Sequence, residues 1–254
     1  MGVAAGMLAT ALGMLIGLSL GAIGGGGSIL TIPILVYVLG VDVHAATGTS
    51  LVIVGANAAF GALVHGRAGR VLWGQGGLFG LLGTGGALGG GWLNHVLPGH
   101  AVLAGLAALM LVAAWRMWAQ RGTSLRARGR QSWWKVAGAG SVVGFMTGFF
   151  GVGGGFVIVP ALVLVLGVGM TYAVGTSLLV IAINCATGLI PYIRSGSLDL
   201  GLAALMVVGG VAGIYAGAHI AGRSRDQRLR EAFAVVVVLL AVYLLYRQAA
   251  VVLA

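Results

Sequence analysis

The residues of this chain that could bind a small anion lie in and after two glycine clusters, at residues 24–27 and 151–155. A helix that begins after such a cluster, at Ser28 or at Gly155, leaves its first amide N–H groups without intrahelical partners and points the positive end of its dipole into the loop. Anions bind at helix ends of this kind. We therefore predict a binding site formed by Gly26, Gly27, Ser28, Gly153, Gly154 and Gly155.

A group of polar residues lies within or near the ends of the third apolar segment of each half. Ser50 and Asn57 are seven residues apart and share one face of a helix, and Ser177 and Asn184 repeat that spacing. Their hydroxyl and amide groups could bind an anion without carrying charge, or they could form hydrogen bonds between helices. The same two interpretations apply to the threonines beside the serines, which are Thr49 and Thr176.

Arg67 and Arg194 occupy matching positions just beyond these segments. They could attract an anion at the two mouths of a pathway, or anchor helices among lipid headgroups. The four acidic residues fall at loops or helix ends, so we expect no carboxylate to relay protons or bind Na⁺ at mid-membrane depth. No residue pattern indicates a metal site, a cofactor or an enzyme active site.

These residues match because the chain repeats itself. When residues 17–69 are shifted by 127 positions, 22 of the 53 residues are identical, and the matches include glycine, proline, asparagine and arginine positions. Each half therefore encodes one structural unit, a design that is common in transporters. We predict a first membrane repeat at residues 1–119, a basic cytoplasmic linker at 120–135 and a second membrane repeat at 136–254.

Composition places the chain in a membrane. Of its 254 residues, 59% are hydrophobic and only 7% are charged, with a mean hydropathy of +1.08. A water-soluble core cannot bury that much apolar surface, so we predict an all-α integral membrane protein in contact with lipid. The net charge of +10 comes from basic residues in short loops, which indicates membrane topology rather than nucleic-acid binding. The start of the chain lacks the basic region of a cleavable signal, so we expect its first apolar segment to remain in the mature protein.

The halves each contain five apolar segments, and an odd number inverts the second copy relative to the first. We predict these segments at about 3–21, 28–41, 45–64, 71–92 and 101–119, and then at 136–149, 155–168, 172–193, 199–221 and 231–251. With the 116–135 loop in the cytoplasm, twelve of the fourteen basic residues lie inside, and both termini lie outside a plasma (inner) membrane. The second segment of each half, at 28–41 and 155–168, would span only about 21 Å as a helix, short of the ~30 Å hydrocarbon layer. We predict broken or re-entrant helices at the glycine clusters.

Other glycines have the small-xxx-small spacing of tightly packed membrane helices. We assign these to helix packing: Gly13, Gly17, Gly21, Gly86, Gly90, Gly140, Gly144, Gly148, Gly213 and Gly217.

The chain resembles the sulfite exporter (TauE/SafE) family of membrane permeases. The resemblance lies in GAIGGGGSILTIPIL followed by ATGTSL in the first half, and GFFGVGGGFVIVPAL followed by AVGTSL in the second. It implies transport, generally outward, of small sulfur-containing anions such as sulfite or organosulfonates. The first half departs from the motif of the second at Ser28, because the second half has Gly155 at the matching position.

Two other function classes share these features. An anion channel would use the same positive cavity, and its flux would not saturate at low substrate concentration. A membrane enzyme or assembly factor acting on anionic lipid headgroups would use the cytoplasmic arginines. The oligomeric state stays open, with a homodimer as one option.

Overall fold

The computed structural model describes residues 3–94, 99–119, 132–150, 155–195 and 198–252. Within these ranges the chain forms eleven α-helices and two short π-helical turns, and no strand. The helices are α1 (Val3–Ile23), α2 (Gly26–Pro33), α3 (Val43–Arg67), α4 (Trp73–Asn94), α5 (Gly99–Ala119), α6 (Trp133–Phe150), α7 (Gly155–Pro160), α8 (Met170–Gly188), α9 (Ile190–Ser195), α10 (Leu200–Arg223) and α11 (Asp226–Val252).

Four of the described helices are long and apolar enough to cross a membrane: Ala5–Ile23, Ala45–Arg67, Met170–Gly188 and Leu200–Arg223. A helix satisfies every backbone polar group within its own segment, which the hydrocarbon layer requires. The prediction of an all-α membrane protein is therefore confirmed. Because residues 120–131 lie outside the described residues, most of the predicted basic linker does too.

Two glycine seams join the first half of the chain to the second. A Cβ placed at Gly17 would overlap the backbone of Gly210, so α1 and α10 touch backbone to backbone. In the matching seam, a Cβ at Gly144 would overlap the backbone of Gly83, which joins α6 to α4. Such contact needs a glycine or another small residue where the backbones approach each other. The structure thus confirms that the spaced glycines serve helix packing.

The helices α3 and α8 cross at the centre of the molecule in opposite directions. Near one end of the pair Gly61 lies against Leu178, and further along Gly55 lies against Cys185. Higher numbers on α3 therefore meet lower numbers on α8. Because α3 and α8 are matching helices of the two halves, this antiparallel contact relates one half directly to the other.

The first glycine cluster interrupts the helix and reverses the direction of the chain. Gly24 has φ +79°, a left-handed conformation that favours glycine, and the helix resumes at Gly26. Gly27 lies against Ile16 and Leu20, so α2 runs back along α1. The predicted interruption at 24–27 is therefore present. The matching cluster at 151–154 lies outside the described residues.

The segments after Pro33 and Pro160 both contain a feature that the sequence did not predict. Each changes into a π-helical turn, Ile34–Val38 or Ala161–Val165, closed by a backbone hydrogen bond between residues five apart. Leu39 donates to the carbonyl of Ile34 at 3.1 Å, and Leu166 donates to that of Ala161 at 3.2 Å. These turns are rare in proteins and often occur at functional sites.

One segment boundary was wrong. The sequence predicted a single segment over 172–193, but α8 ends at Gly188 and α9 begins at Ile190. The second residue of α9 is Pro191, which has no amide N–H to donate to a continuing helix. The matching position in α3 is Val64, so α3 continues without a break to Arg67.

Candidate anion site

The short helices α2 and α7 meet at their first residues. A Cβ at Gly25, the residue before α2, would overlap the carbonyl group of Gly155, which begins α7. The Ser28 hydroxyl lies beside Gly155 and donates to the carbonyl oxygen of Gly25 at 2.8 Å. The structure therefore brings Ser28 of one half against Gly155 of the other, whereas Gly27 packs against Ile16 and Leu20 of α1. The predicted site residues Gly153 and Gly154 lie outside the described residues.

Ser50 and Ser177 are buried, and each donates its hydroxyl proton within its own helix. Ser50 Oγ bonds the carbonyl oxygen of Thr47 at 2.7 Å, and Ser177 Oγ bonds that of Val174 at 2.8 Å. Ser177 also lies beside the break in the first hairpin, because a Cβ at Gly24 would be 2.6 Å from its Oγ atom. A serine has one hydroxyl proton, so binding an anion requires that proton to leave the carbonyl.

Thr49 and Thr176 join the two halves through matching hydrogen bonds. Thr49 Oγ1 accepts from the amide of Asp199, and Thr176 Oγ1 accepts from the amide of Leu72, both at 3.1 Å. Each acceptor lies on the third segment of one half, and each donor lies just before the fourth segment of the other. Both threonines are fully buried. These bonds correspond to the helix-to-helix interpretation of the two residues.

Asn57 is fully buried on α3 and packs against Gly210 of α10. Neither its Oδ1 nor its Nδ2 atom has a hydrogen-bond partner among the described residues. Leaving a polar group buried and unpaired costs about 1–3 kcal/mol, so the position needs a physical explanation. Asn184 on α8 shows a similar feature, because its buried Oδ1 has no partner within the described residues either.

A basic cavity of about 310 Å³ lies where α3 and α10 end, and the sequence did not predict it. Its lining includes His65, Arg70, His219 and Arg223. The sequence contained one signal, since His65 is eight residues after Asn57 and therefore shares its helix face.

The predicted pathway arginines lie at helix ends. Arg67 is exposed at the last residue of α3. Arg194 belongs to α9, and its side chain lies outside the described residues.

The carboxylates also lie at helix ends: Asp199 accepts from the amide of Leu202 at the start of α10, and Asp226 accepts from the amides of Met170 and Thr171 at the start of α8. In the part of the chain that the structure describes, no three His, Cys, Asp or Glu side chains are grouped closely enough to hold a metal ion.

Comparison with known proteins finds a family model and relatives that match most of the chain. The family model described as "Sulfite exporter TauE/SafE" matches residues 9–244. A "Probable membrane transporter protein" of Xylella fastidiosa (strain 9a5c) is 36% identical over 242 residues, covering 92% of this chain and 93% of that protein. The "Probable membrane transporter protein YdhB" of Bacillus subtilis (strain 168) is 29% identical over 211 residues, covering 80% of this chain and 85% of its own. No solved structure matches the chain significantly.

Proposed function

The chain belongs to the sulfite exporter TauE/SafE family of membrane transporters, and we propose that it exports a small sulfur-containing anion such as sulfite or an organosulfonate. The observation that carries this proposal is the meeting of α2 and α7 at Gly25 and Gly155. Interrupted helices that meet inside a membrane protein are where many transporters bind their substrates. Their free amide groups and dipoles favour a negative charge.

Asn57 is a second residue that supports an anionic substrate. Its amide is buried without a hydrogen-bond partner among the described residues, although Nδ2 can donate to an anion's oxygen. A bound oxyanion would provide an acceptor for Nδ2. We assign Asn57 and Asn184 to the substrate site, together with the serines Ser50 and Ser177 once their hydroxyls rotate toward the ligand.

We further propose that the two halves are inverted repeats that rock against each other to expose the site alternately to the two sides. The antiparallel contact of the matching helices α3 and α8 supports this, because matching helices of two halves with the same orientation would run in the same direction. The positive-inside rule then places both termini and Arg194 outside, and Arg67 inside. Thr49 and Thr176 would hold the halves together at the two ends of this contact.

The membrane potential favours export under this proposal. Moving one negative charge outward gains about 2.3 kcal/mol per 100 mV, which corresponds to roughly a fiftyfold concentration ratio. Export can therefore proceed without a carboxylate-based cation site.

A counterflow assay in proteoliposomes tests the function. Vesicles preloaded with unlabelled sulfite, thiosulfate, organosulfonates or carboxylates are diluted into a trace of labelled organosulfonate. The proposal predicts transient uptake with sulfur oxyanions inside, and flux that saturates with concentration as expected for a carrier. Uptake driven equally by every anion, or flux that rises linearly without saturation, would instead indicate a channel.

A further inference from the structure

The basic cavity at the ends of α3 and α10 carries the strongest further inference. Tyr215, His219 and Arg223 are spaced four residues apart on α10, so they share the face that lines the cavity. Arg70, in the loop after α3, and His65, near the end of α3, also line the cavity. No carboxylate is among the residues that line this cavity. Its volume of about 310 Å³ is at the small end of ligand sites, which suits a small ion.

The Arg70 guanidinium group makes one hydrogen bond that positions it and has further N–H donors. Its Nη1 atom donates to the carbonyl oxygen of Ala218 at 3.4 Å, a long bond. The guanidinium group lies over Gly222, where a Cβ would overlap it. An arginine has five N–H donors in a planar fork, so most of them remain available to an oxyanion in the cavity.

His65 is 1% exposed, and its hydrogen bond fixes the proton position on the ring. Nε2 lies 3.0 Å from the carbonyl oxygen of Gly21. A carbonyl only accepts, so Nε2 carries a hydrogen. Nδ1 is buried and has no partner among the described residues. In the neutral ring Nδ1 offers a lone pair, which repels an anion, whereas in the protonated ring Nδ1 donates.

The charges around His65 determine how a bound anion changes the protonation of its ring. The charged or titratable side chains that line the cavity with His65 are Arg70, Tyr215, His219 and Arg223. The turn of α1 at Gly21 and the turn of α8 at Gly175, which pack against His65, contribute none. The positive arginines disfavour a second positive charge on the ring. An anion between them removes that repulsion and adds an attraction, so it favours the protonated ring.

We propose that this cavity is a second anion-binding site, at the cytoplasmic mouth of the pathway, and that His65 takes up a proton when a small oxyanion binds between Arg70 and Arg223. The inference rests on the proposed transport of an anion. In this state the anion is bound at the cytoplasmic mouth and His65 is protonated, before the anion reaches α2 and α7.

The cavity also distinguishes one mouth of the pathway from the other. At an offset of 127 residues, His65 matches Tyr192, Arg70 matches Ser197, His219 matches Trp92 and Arg223 matches Val96. The repeat therefore lacks a second copy of the basic group. A higher affinity at the cytoplasmic mouth loads the carrier at low internal substrate concentration, while the other mouth releases it.

Calorimetric titration of the full-length protein in lipid nanodiscs with methanesulfonate tests the site. This anion takes up no proton near neutral pH, so any proton uptake belongs to the protein. Titration in two buffers with different ionisation enthalpies counts the protons. Wild type should take up a fraction of a proton that depends on pH. Arg70→Gln and Arg223→Gln should each weaken the binding step that is linked to proton uptake by at least about tenfold, because each loses a charged hydrogen bond, and binding at α2 and α7 should persist in both variants.

His65→Gln keeps an amide that can donate to the Gly21 carbonyl, so it should retain binding and lose the proton uptake. Arg228→Gln removes the same charge from an exposed position that does not line the cavity, and it should behave as wild type. Size-exclusion profiles confirm that each variant is folded. If the Arg70 and Arg223 variants bind as the Arg228 variant does, no site exists in this cavity. Unchanged proton uptake in His65→Gln would overturn the role of His65.

The outcomes separate this inference from the proposed function. Transport without methanesulfonate binding at the cavity would leave a carrier whose capture site lies elsewhere. Binding at the cavity without counterflow of any anion would leave the site standing and refute the carrier. In transport assays, Arg70→Gln should raise the KM for efflux and largely preserve kcat, which a general folding defect would not do.

Discussion

The backbone of Gly25 lies directly against the backbone of Gly155, so neither position has room for a Cβ atom. The first residue belongs to the break before α2, and the second begins α7 in the other half of the chain. This contact places the short helices α2 and α7 together at their first residues, which are the positive ends of their dipoles. We infer that an anion binds there, and the predictions below follow from that arrangement.

Gly25→Ala should reduce transport severely, because its methyl group would overlap the Gly155 carbonyl and separate α2 from α7. We expect a loss of about 1–3 kcal/mol of stability, as for other overpacked positions. Gly85→Ala is the matched control, since a Cβ at this position in α4 meets nothing within 4 Å. It should keep full flux and equal or higher stability, because alanine favours helix over glycine. Thermal unfolding and counterflow assays on both variants test this. Equal flux in the two variants would argue against a role for the contact in transport.

Asn57→Leu should abolish transport while the protein stays folded. The substitution removes a buried amide that has no partner among the described residues, so it breaks no hydrogen bond there. A purely structural role predicts the reverse, a clear drop in the unfolding temperature with flux lost only in proportion. The unfolding temperature and the flux, measured on the same preparation, distinguish the two roles.

Thr49→Val and Thr176→Val should each cost about 1 kcal/mol, because each leaves the amide of Asp199 or Leu72 without its acceptor. Their costs should be similar and should add in the double variant, since the two bonds lie at opposite ends of the contact between α3 and α8. Each single variant should still transport. Denaturation curves measure the costs, and a loss of flux with unchanged stability would show that the hydroxyls contact the substrate instead.

Cysteine labelling tests the inverted orientation. In a Cys185→Ala background, Arg67→Cys and Arg194→Cys introduce thiols at matching positions of the two halves. A membrane-impermeant maleimide should label the first only from the cytoplasmic side and the second only from outside. Labelling of both from the same side would refute the inverted repeats.

The sequence was sufficient for features that repeat. The small-xxx-small glycines, the break at residues 24–27 and the membrane class all follow from residue types at fixed spacing, and the structure contains each of them. The two π-helical turns could not be predicted, because their apolar residues are equally compatible with an ordinary helix.

The basic cavity could not be predicted from spacing alone. Arg70 meets Ala218 across 148 residues, and only the parallel packing of α3 and α10 brings them together. The partnerless amide of Asn57 is likewise a property of packing. The sequence named Asn57 as a candidate, but it could not show that the amide lacks a partner among the described residues.

The most direct test of the central claim is whether a transported anion protects the junction of α2 and α7. In a Cys185→Ala background that still transports, Ser28→Cys places a thiol beside Gly155, and its alkylation rate by iodoacetamide is measured with increasing organosulfonate. Chloride at equal ionic strength is the control. We predict that the organosulfonate slows alkylation with half-effect at its transport KM. An alkylation rate that stays constant while transport saturates would contradict binding at this junction.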